Sequence, residues 1–254
     1  VVFLPFTAFF ATLATRIIPD RAEEQKELIR PRFLDDELIR VPAMALERAR
    51  MELGHMSQIT AGMLANVRLA FRAGDLAELA QQFDQIVVLR DAVLTYLQHI
   101  GQSELSDSEA EEQARLVVAA GEIEGMSAAI SRDLAPLAQA FDTADTAPSN
   151  VTTELLGRLV DAVLETARSA LQALVERDEQ AAQMVVAKRT AILELSAEVQ
   201  RDQIAGLAQD DPDRLVKHRL QVEILDRLRR LYGVSEHMAV SVLPRSVLAG
   251  ELYS

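Results

Sequence analysis

NVTTELLGRLVDAVLETARSALQAL, residues 150–174, is the stretch whose reading decides the fold. Leu156, Leu159, Val160, Val163, Leu164, Ala167, Leu171 and Leu174 recur every three or four positions. That spacing lines one face of an α-helix, whereas a strand would alternate every second residue. Asn150 stands where a helix cap is wanted. An amphipathic helix of this length must bury its stripe against other helices.

The same period extends in both directions. Upstream, Ala49, Leu53, Met56, Met63, Val67 and Ala70 predict a first helix over about 42–73, with Pro42 in its first turn. Gly74 ends it and Asp75 caps the next. Leu79, Phe83, Ile86, Val93, Leu97 and Ile100 carry that second helix to about 101. GQSELSDSE follows as a loop, with Ser106 or Ser108 as cap. A third helix is expected over about 108–143, kinked or frayed by Pro136. DTADTAPSN (142–150) is a linker. After the helix at 150 comes a fifth over about 178–208. Asp211 and Pro212 open a sixth, faced by Leu220, Ile224, Leu228, Leu231, Met238 and Val242 and stopped by Pro244.

The expectation is therefore all-α: six helices of about 25 to 35 residues, well beyond the ~12-residue average. They fall into two three-helix repeats, about 42–145 and 150–243, forming an elongated bundle. GEIEGMSAAI (121–130) and RLRRLYGVSE (227–236) occupy equivalent places in the two sets, as do the loops SELSDSEAEEQ and AQDDPDRL.

Composition narrows the function. With 49% hydrophobic residues the chain can fill a core, and 10 Gly and 8 Pro in 254 residues are few for a loop-rich or all-β fold. The absence of Cys excludes disulfides, thiolate metal sites and Cys nucleophiles. A net charge of −13 argues against nucleic acid as a partner. No glycine spacing matches a phosphate loop or a dinucleotide fingerprint, and neither Gly-x-Ser-x-Gly nor His-Glu-x-x-His occurs, so catalysis has no visible foothold.

The N-terminus reads differently. VVFLPFTAFFATLATRIIPD opens the sequence, and residues 1–14 carry no charge. Arg16, Arg21, Lys26, Arg30 and Arg32 follow directly. Basic residues just past an apolar run mark the cytoplasmic side of a membrane span. Residues 1–18 are read as the end of a truncated transmembrane helix, too short to span alone. A signal-peptide core and a buried N-terminal helix are the other readings. Residues 19–41, interrupted by Pro19 and Pro31, form a juxtamembrane connector. The expected location is the inner membrane, with residues 19–254 in the cytoplasm.

RPRFLDDELIRVPAMALERARMELGHM (30–56) closely resembles the region past the last membrane helix of bacterial sodium/phosphate cotransporter family proteins. The matching positions are Arg30, Pro31, Arg32, Phe33, Leu34 and Asp35, then Pro42, then Ala45 to Arg50. LRDAVLTYLQHI (89–100) and LRRLYGVSEHMA (228–239) fit the second and sixth helices of the PhoU-like domain fused to those transporters. The resemblance covers essentially the whole chain. It implies a PhoU-like regulatory domain, residues 42–254, in a protein that moves inorganic phosphate with sodium. Its implied partners are its own upstream transport domain, a regulatory protein and a second copy of itself. A free-standing helical scaffold of phosphate response and a metal-dependent helical hydrolase are the alternatives.

PhoU-like domains commonly bind metal through acidic residues four apart on inner helices, which share a face. The family pattern carries over to Asp84, Glu122, Glu124 and Asp226, while Val87, Ala128, Leu193 and Arg227 fall where acids are usual. A weak divalent site is the most that pattern implies. No other cofactor is implied for this stretch, and sodium and phosphate belong to the complete transporter.

Three further groups stand out. Lys188, Arg189, Arg227 and Arg230, with Arg229, could meet across a bundle face and hold phosphate, or pair as surface ions with the abundant Glu. Glu52 and His55 form a single Glu-x-x-His; a di-iron bundle needs two, so this one reads as exposed polar residues. Met44, Met51, Met56 and Met63 offer an adaptable surface or, by their register, core filling.

Overall fold

The computed structural model describes residues 29–70, 76–143, 150–206 and 212–244. The chain divides into two compact units, Val1–Arg30 and Pro31–Ser254. All described residues except Ile29 and Arg30 belong to the second. The apolar segment 1–18, most of the connector, Gly74 and Asp75, the linker 144–149 and Asp211 lie outside the described residues. Among those described, every regular element is helical and no helix is long and apolar enough to cross a membrane.

A 3₁₀ turn over Asp36–Arg40 precedes α1 (Pro42–Ala70). Then come α2 (Leu76–Ile100), α3 (Asp107–Ala128), a π-helical segment (Ala129–Leu134) and α4 (Ala135–Thr143). The chain continues through α5 (Asn150–Glu176), α6 (Glu179–Ala187), α7 (Arg189–Gly206) and α8 (Pro212–Val242). α1, α2 and α3 pack on one another, and α5 gathers α6, α7 and α8. α1 lies against α5, and α4 and the π segment lie against α8, so the two groups share a continuous core.

The apolar stripes are buried as their spacing demands. Leu156, Leu159, Val160, Val163, Leu164, Ala167 and Leu171 are all buried on α5, as are Ala49, Leu53, Met56, Met63 and Val67 on α1. The methionines separate by register: Met56 and Met63 are fully buried, while Met44 and Met51 are exposed. Deep between α1 and α3, the Thr60 and Ser127 hydroxyls meet at 2.8 Å. Each also lies within hydrogen-bonding reach of a carbonyl of its own preceding turn, Met56 at 2.9 Å and Ile123 at 2.8 Å, so the two hydroxyl protons both have acceptors.

Where the helices begin and break follows local chemistry. Ser106, not Ser108, caps α3, and a reciprocal bond from the Glu109 side chain completes a capping box. The two Ser106 hydrogen bonds, side chain first, hold the exposed Glu109 carboxyl below its usual range. The expected third helix passes through the π segment just before Pro136. A proline ring there clashes with the carbonyl four residues back, at Arg132, and the wider turn absorbs the misfit. The Arg132 guanidinium lies 4.4 Å from the centre of the Phe83 ring, tying this segment to α2. The single fifth helix expected over 178–208 is instead two, α6 and α7, broken at Lys188. Asp178 caps α6 by accepting from the Gln180 and Ala181 amides.

Candidate functional site

Two carboxylates organise the chemistry of the described fold. The first is Glu52 on α1. Its position, three after Ala49 and four before Met56, puts it on the apolar stripe, and it is fully buried. An ionised carboxylate in that setting needs strong donors. The irregular segment ahead of the 3₁₀ turn supplies them. The Arg32 and Phe33 amides have no helical partner, and both donate to Glu52 Oε2 at 2.8 Å. Glu52 Oε1 lies 2.9 Å from His55 Nδ1. His55 is itself buried and meets the Phe33 ring edge-on, with ring centres 6.4 Å apart. Glu52 and His55 are thus not the exposed polar pair that their isolation in sequence implied.

A second tie secures the same segment. The Tyr96 hydroxyl, on α2, donates to the Asp35 carbonyl at 2.8 Å, and the Asp35 side chain caps the 3₁₀ turn through the Glu37 amide. Burial pushes the Tyr96 hydroxyl above its usual pKa. Residues 32–40 are therefore clasped onto α1 and α2 by one buried acid and one tyrosine.

The second carboxylate is Glu112 on α3, four residues before Leu116 and seven before Ala119 on the buried face. Glu112 Oε1 accepts from Arg50 Nη2 at 2.6 Å, and its other oxygen pairs with Arg177. Arg50 also reaches Glu47 at 2.9 Å. Arg177 follows α5 directly and is the one non-glycine among the described residues with positive φ, at 57°. The Asp178 amide bonds back to the Ala173 carbonyl at 3.1 Å, closing the helix end around it. Glycine usually takes this place; here an arginine does. Burial, and then the Arg50 charge, press the Arg177 guanidinium below its ordinary pKa, against the pull of Glu111 and Glu47. It stays a cation at neutral pH.

Beside this cluster a groove of about 690 Å³ opens between the two helix groups. Leu53, Leu116, Ala119, Leu174, Val175 and Leu243 give it apolar walls, and Arg50, Arg115 and Arg177 stand along it together with Glu111 and Glu179. Leu174 and Val242, the last residues of their stripes, are only half-buried because they face this opening.

The acids that the resemblance singled out do not come together. Asp84 is exposed on α2. Glu122 sits 2.8 Å from His237 Nδ1 on α8, and Glu124 is 3.9 Å from Arg90 on α2. Asp226 is exposed and lies 3.9 Å from Arg227. Among the described residues no group of three or more His, Asp or Glu is placed to hold a metal. The basic set is likewise dispersed. Lys188 pairs with Glu165 at 2.9 Å, Arg189 with Glu236 at 3.4 Å, and Arg229 donates to Gln200 at 3.3 Å. Arg230 is exposed. The convergent arginines are Arg50 and Arg177, which the sequence did not single out. Acids in an apolar register, at 52 and 112, were the available signal for both clusters.

The described residues form an all-helical fold in which residues 32–40 are pinned by a buried acid. No profile of a known protein family matches the chain. Among curated proteins, it is similar to the Salmonella typhimurium protein named "Putative inorganic phosphate export protein YjbB", with 24% identity over 242 residues. That match takes in 94% of this chain and 44% of that protein, so the chain spans less than half the length of its relative.

Proposed function

We propose that residues 42–254 are the PhoU-like regulatory domain, built from two three-helix repeats, of a membrane protein that moves inorganic phosphate. The domain binds and biases its own transport module and catalyses nothing itself. Residues 1–18 are the end of the last membrane helix, and residues 19–41 connect it to the domain on the cytoplasmic side. The observation that carries this reading is the alignment of nearly the whole chain with a protein named for phosphate export. Two features agree with it: the basic residues that follow the uncharged opening segment, and the Glu52 clasp. A clasp that locks residues 32–40 onto α1 and α2 converts a movement of the membrane helix into a movement of the helical domain. Sodium is the coupling ion that the resemblance to cotransporters suggests.

The test is phosphate flux in cells carrying the full-length protein, compared with protein lacking residues 42–254 and with Glu52→Ala. Deletion is expected to change flux or its response to phosphate, and Glu52→Ala to reproduce part of that change. Identical flux and identical response in all three would remove the regulatory reading.

A further inference from the structure

We propose that the groove between the two helix groups takes a phosphate oxyanion, free or as a monoester, on the guanidiniums of Arg50 and Arg177. The proposal draws on the preceding functional reading only for the choice of phosphate among oxyanions.

The ion pairing at the edge of the groove points there. Two guanidiniums share one buried carboxylate, Glu112. The other acids beside them, Glu47, Glu111 and Glu179, are exposed and therefore screened by water. Arg115 adds a third guanidinium along the wall, and its partner Glu111 is 71% exposed.

Donor capacity is also unspent. Arg50 Nε is buried and has no hydrogen-bond acceptor. A guanidinium presents its donors in a planar fork that suits two oxygens of one phosphate, and apolar walls strengthen such charge-assisted bonds. The backbone at Arg177 is the independent sign. A left-handed residue with a β-carbon is disfavoured relative to glycine, so the position retains arginine at a conformational cost. An oxyanion would join the group of α1 and α3 to the group of α5, α6 and α8, a closure through which phosphate level sets the state of the domain.

The experiment is titration calorimetry on the full 254-residue chain in detergent, with inorganic phosphate, phenyl phosphate and acetate as probes. Saturable phosphate or phenyl phosphate binding below about 1 mM is expected, with acetate weaker. A tighter fit for phenyl phosphate assigns the monoester, and an equal or weaker one assigns free phosphate. Arg177→Gln and Arg50→Gln should each weaken binding by roughly tenfold, and Arg219→Gln should not change it. Glu112→Gln is the decisive variant. Removing the competing carboxylate should tighten phosphate several-fold, whereas residues serving only as a structural bridge would gain no affinity. Should Glu112→Gln not fold, Arg115→Gln on the groove wall must weaken binding. No saturable binding up to about 10 mM, acetate equal to phosphate, or indifference to Arg177→Gln would overturn the proposal. Because the readout is binding by the chain itself, failure here leaves the flux experiment undecided, and failure there leaves this result intact.

Discussion

Glu52 and Glu112 are the two carboxylates buried among the described residues, and their surroundings differ in kind. Glu52 is enclosed, and its donors are two backbone amides and one histidine, all supplied by one helix and the segment folded over it. Backbone amides cannot be withdrawn without moving the chain, so this acid is a fastener. Glu112 borders an open groove, and its partners are two long, partly exposed arginines from elements far apart in sequence. Arginine side chains can swing to another acceptor, so this acid is a place-holder. One fold thus contains a closed polar device and an open one.

Removing the fastener should have the largest effect. Glu52→Ala leaves two part-buried amides and a buried imidazole without an acceptor, and should destabilise the chain by about 2–4 kcal/mol. Urea unfolding followed by circular dichroism would measure this. Limited trypsin digestion adds a local readout, because the Arg32–Phe33 bond should be cut much faster once the clasp is gone. An unfolding midpoint close to wild type would show that the two regions do not differ as described. Glu112→Ala should cost less, about 1–3 kcal/mol, because water entering the groove can solvate the released guanidiniums. An equal or greater loss than for Glu52→Ala would erase the contrast.

The tyrosine half of the clasp should give an intermediate effect with a pH signature. Tyr96→Phe removes one hydrogen bond to the Asp35 carbonyl and should cost about 1 kcal/mol at neutral pH. Burial raises the pKa of Tyr96, and on α8 burial together with Glu236 pushes Tyr232 up to about 12. A tyrosine that holds its proton more tightly when folded contributes stability that is whole below its unfolded pKa. That contribution is lost as pH rises through the folded value. Stability should therefore fall between pH 10.0 and about 12, and Tyr232→Phe should flatten part of that fall. A profile unchanged by the substitution would refute the assignment.

How far these regions could be read in sequence follows the range of the forces involved. The stripes at 156–171 and 49–67 specified helices and their buried faces because a 3.6-residue period is local. The Ser106 cap and the π segment before Pro136 are equally local. The break at Lys188 carries no glycine or proline, and no sequence rule marks it. The clasp was half legible: Glu52 occupies the apolar register, but its main donors are amides of residues 32 and 33, and every residue has an amide. The Arg50–Glu112–Arg177 cluster spans 62 positions between its first two members, and only tertiary packing brings it together. Arg177 gave no warning, since left-handed helix ends are anticipated from glycine. Asp84, Glu122, Glu124 and Asp226 were selected by a family pattern rather than by their own spacing. Each meets its own local environment in the fold.

The smallest stability effect separates charge from backbone at the open device. Arg177→Gly gives up an ion pair whose arginine side chain is 44% exposed, a contact discounted by solvent to about 0–1 kcal/mol. It also relieves the left-handed penalty by about 1 kcal/mol. The two nearly cancel, so stability should stay within about 0.5 kcal/mol of wild type. Arg177→Ala loses the same charge but keeps a β-carbon at φ 57°. It should therefore unfold about 1 kcal/mol more easily than the glycine variant. If alanine and glycine prove equal, the backbone there is unstrained and the case for a side chain retained for binding weakens. If glycine preserves the fold and phosphate binding still falls, Arg177 belongs to the groove's chemistry and not to the scaffold, in direct contrast to Glu52.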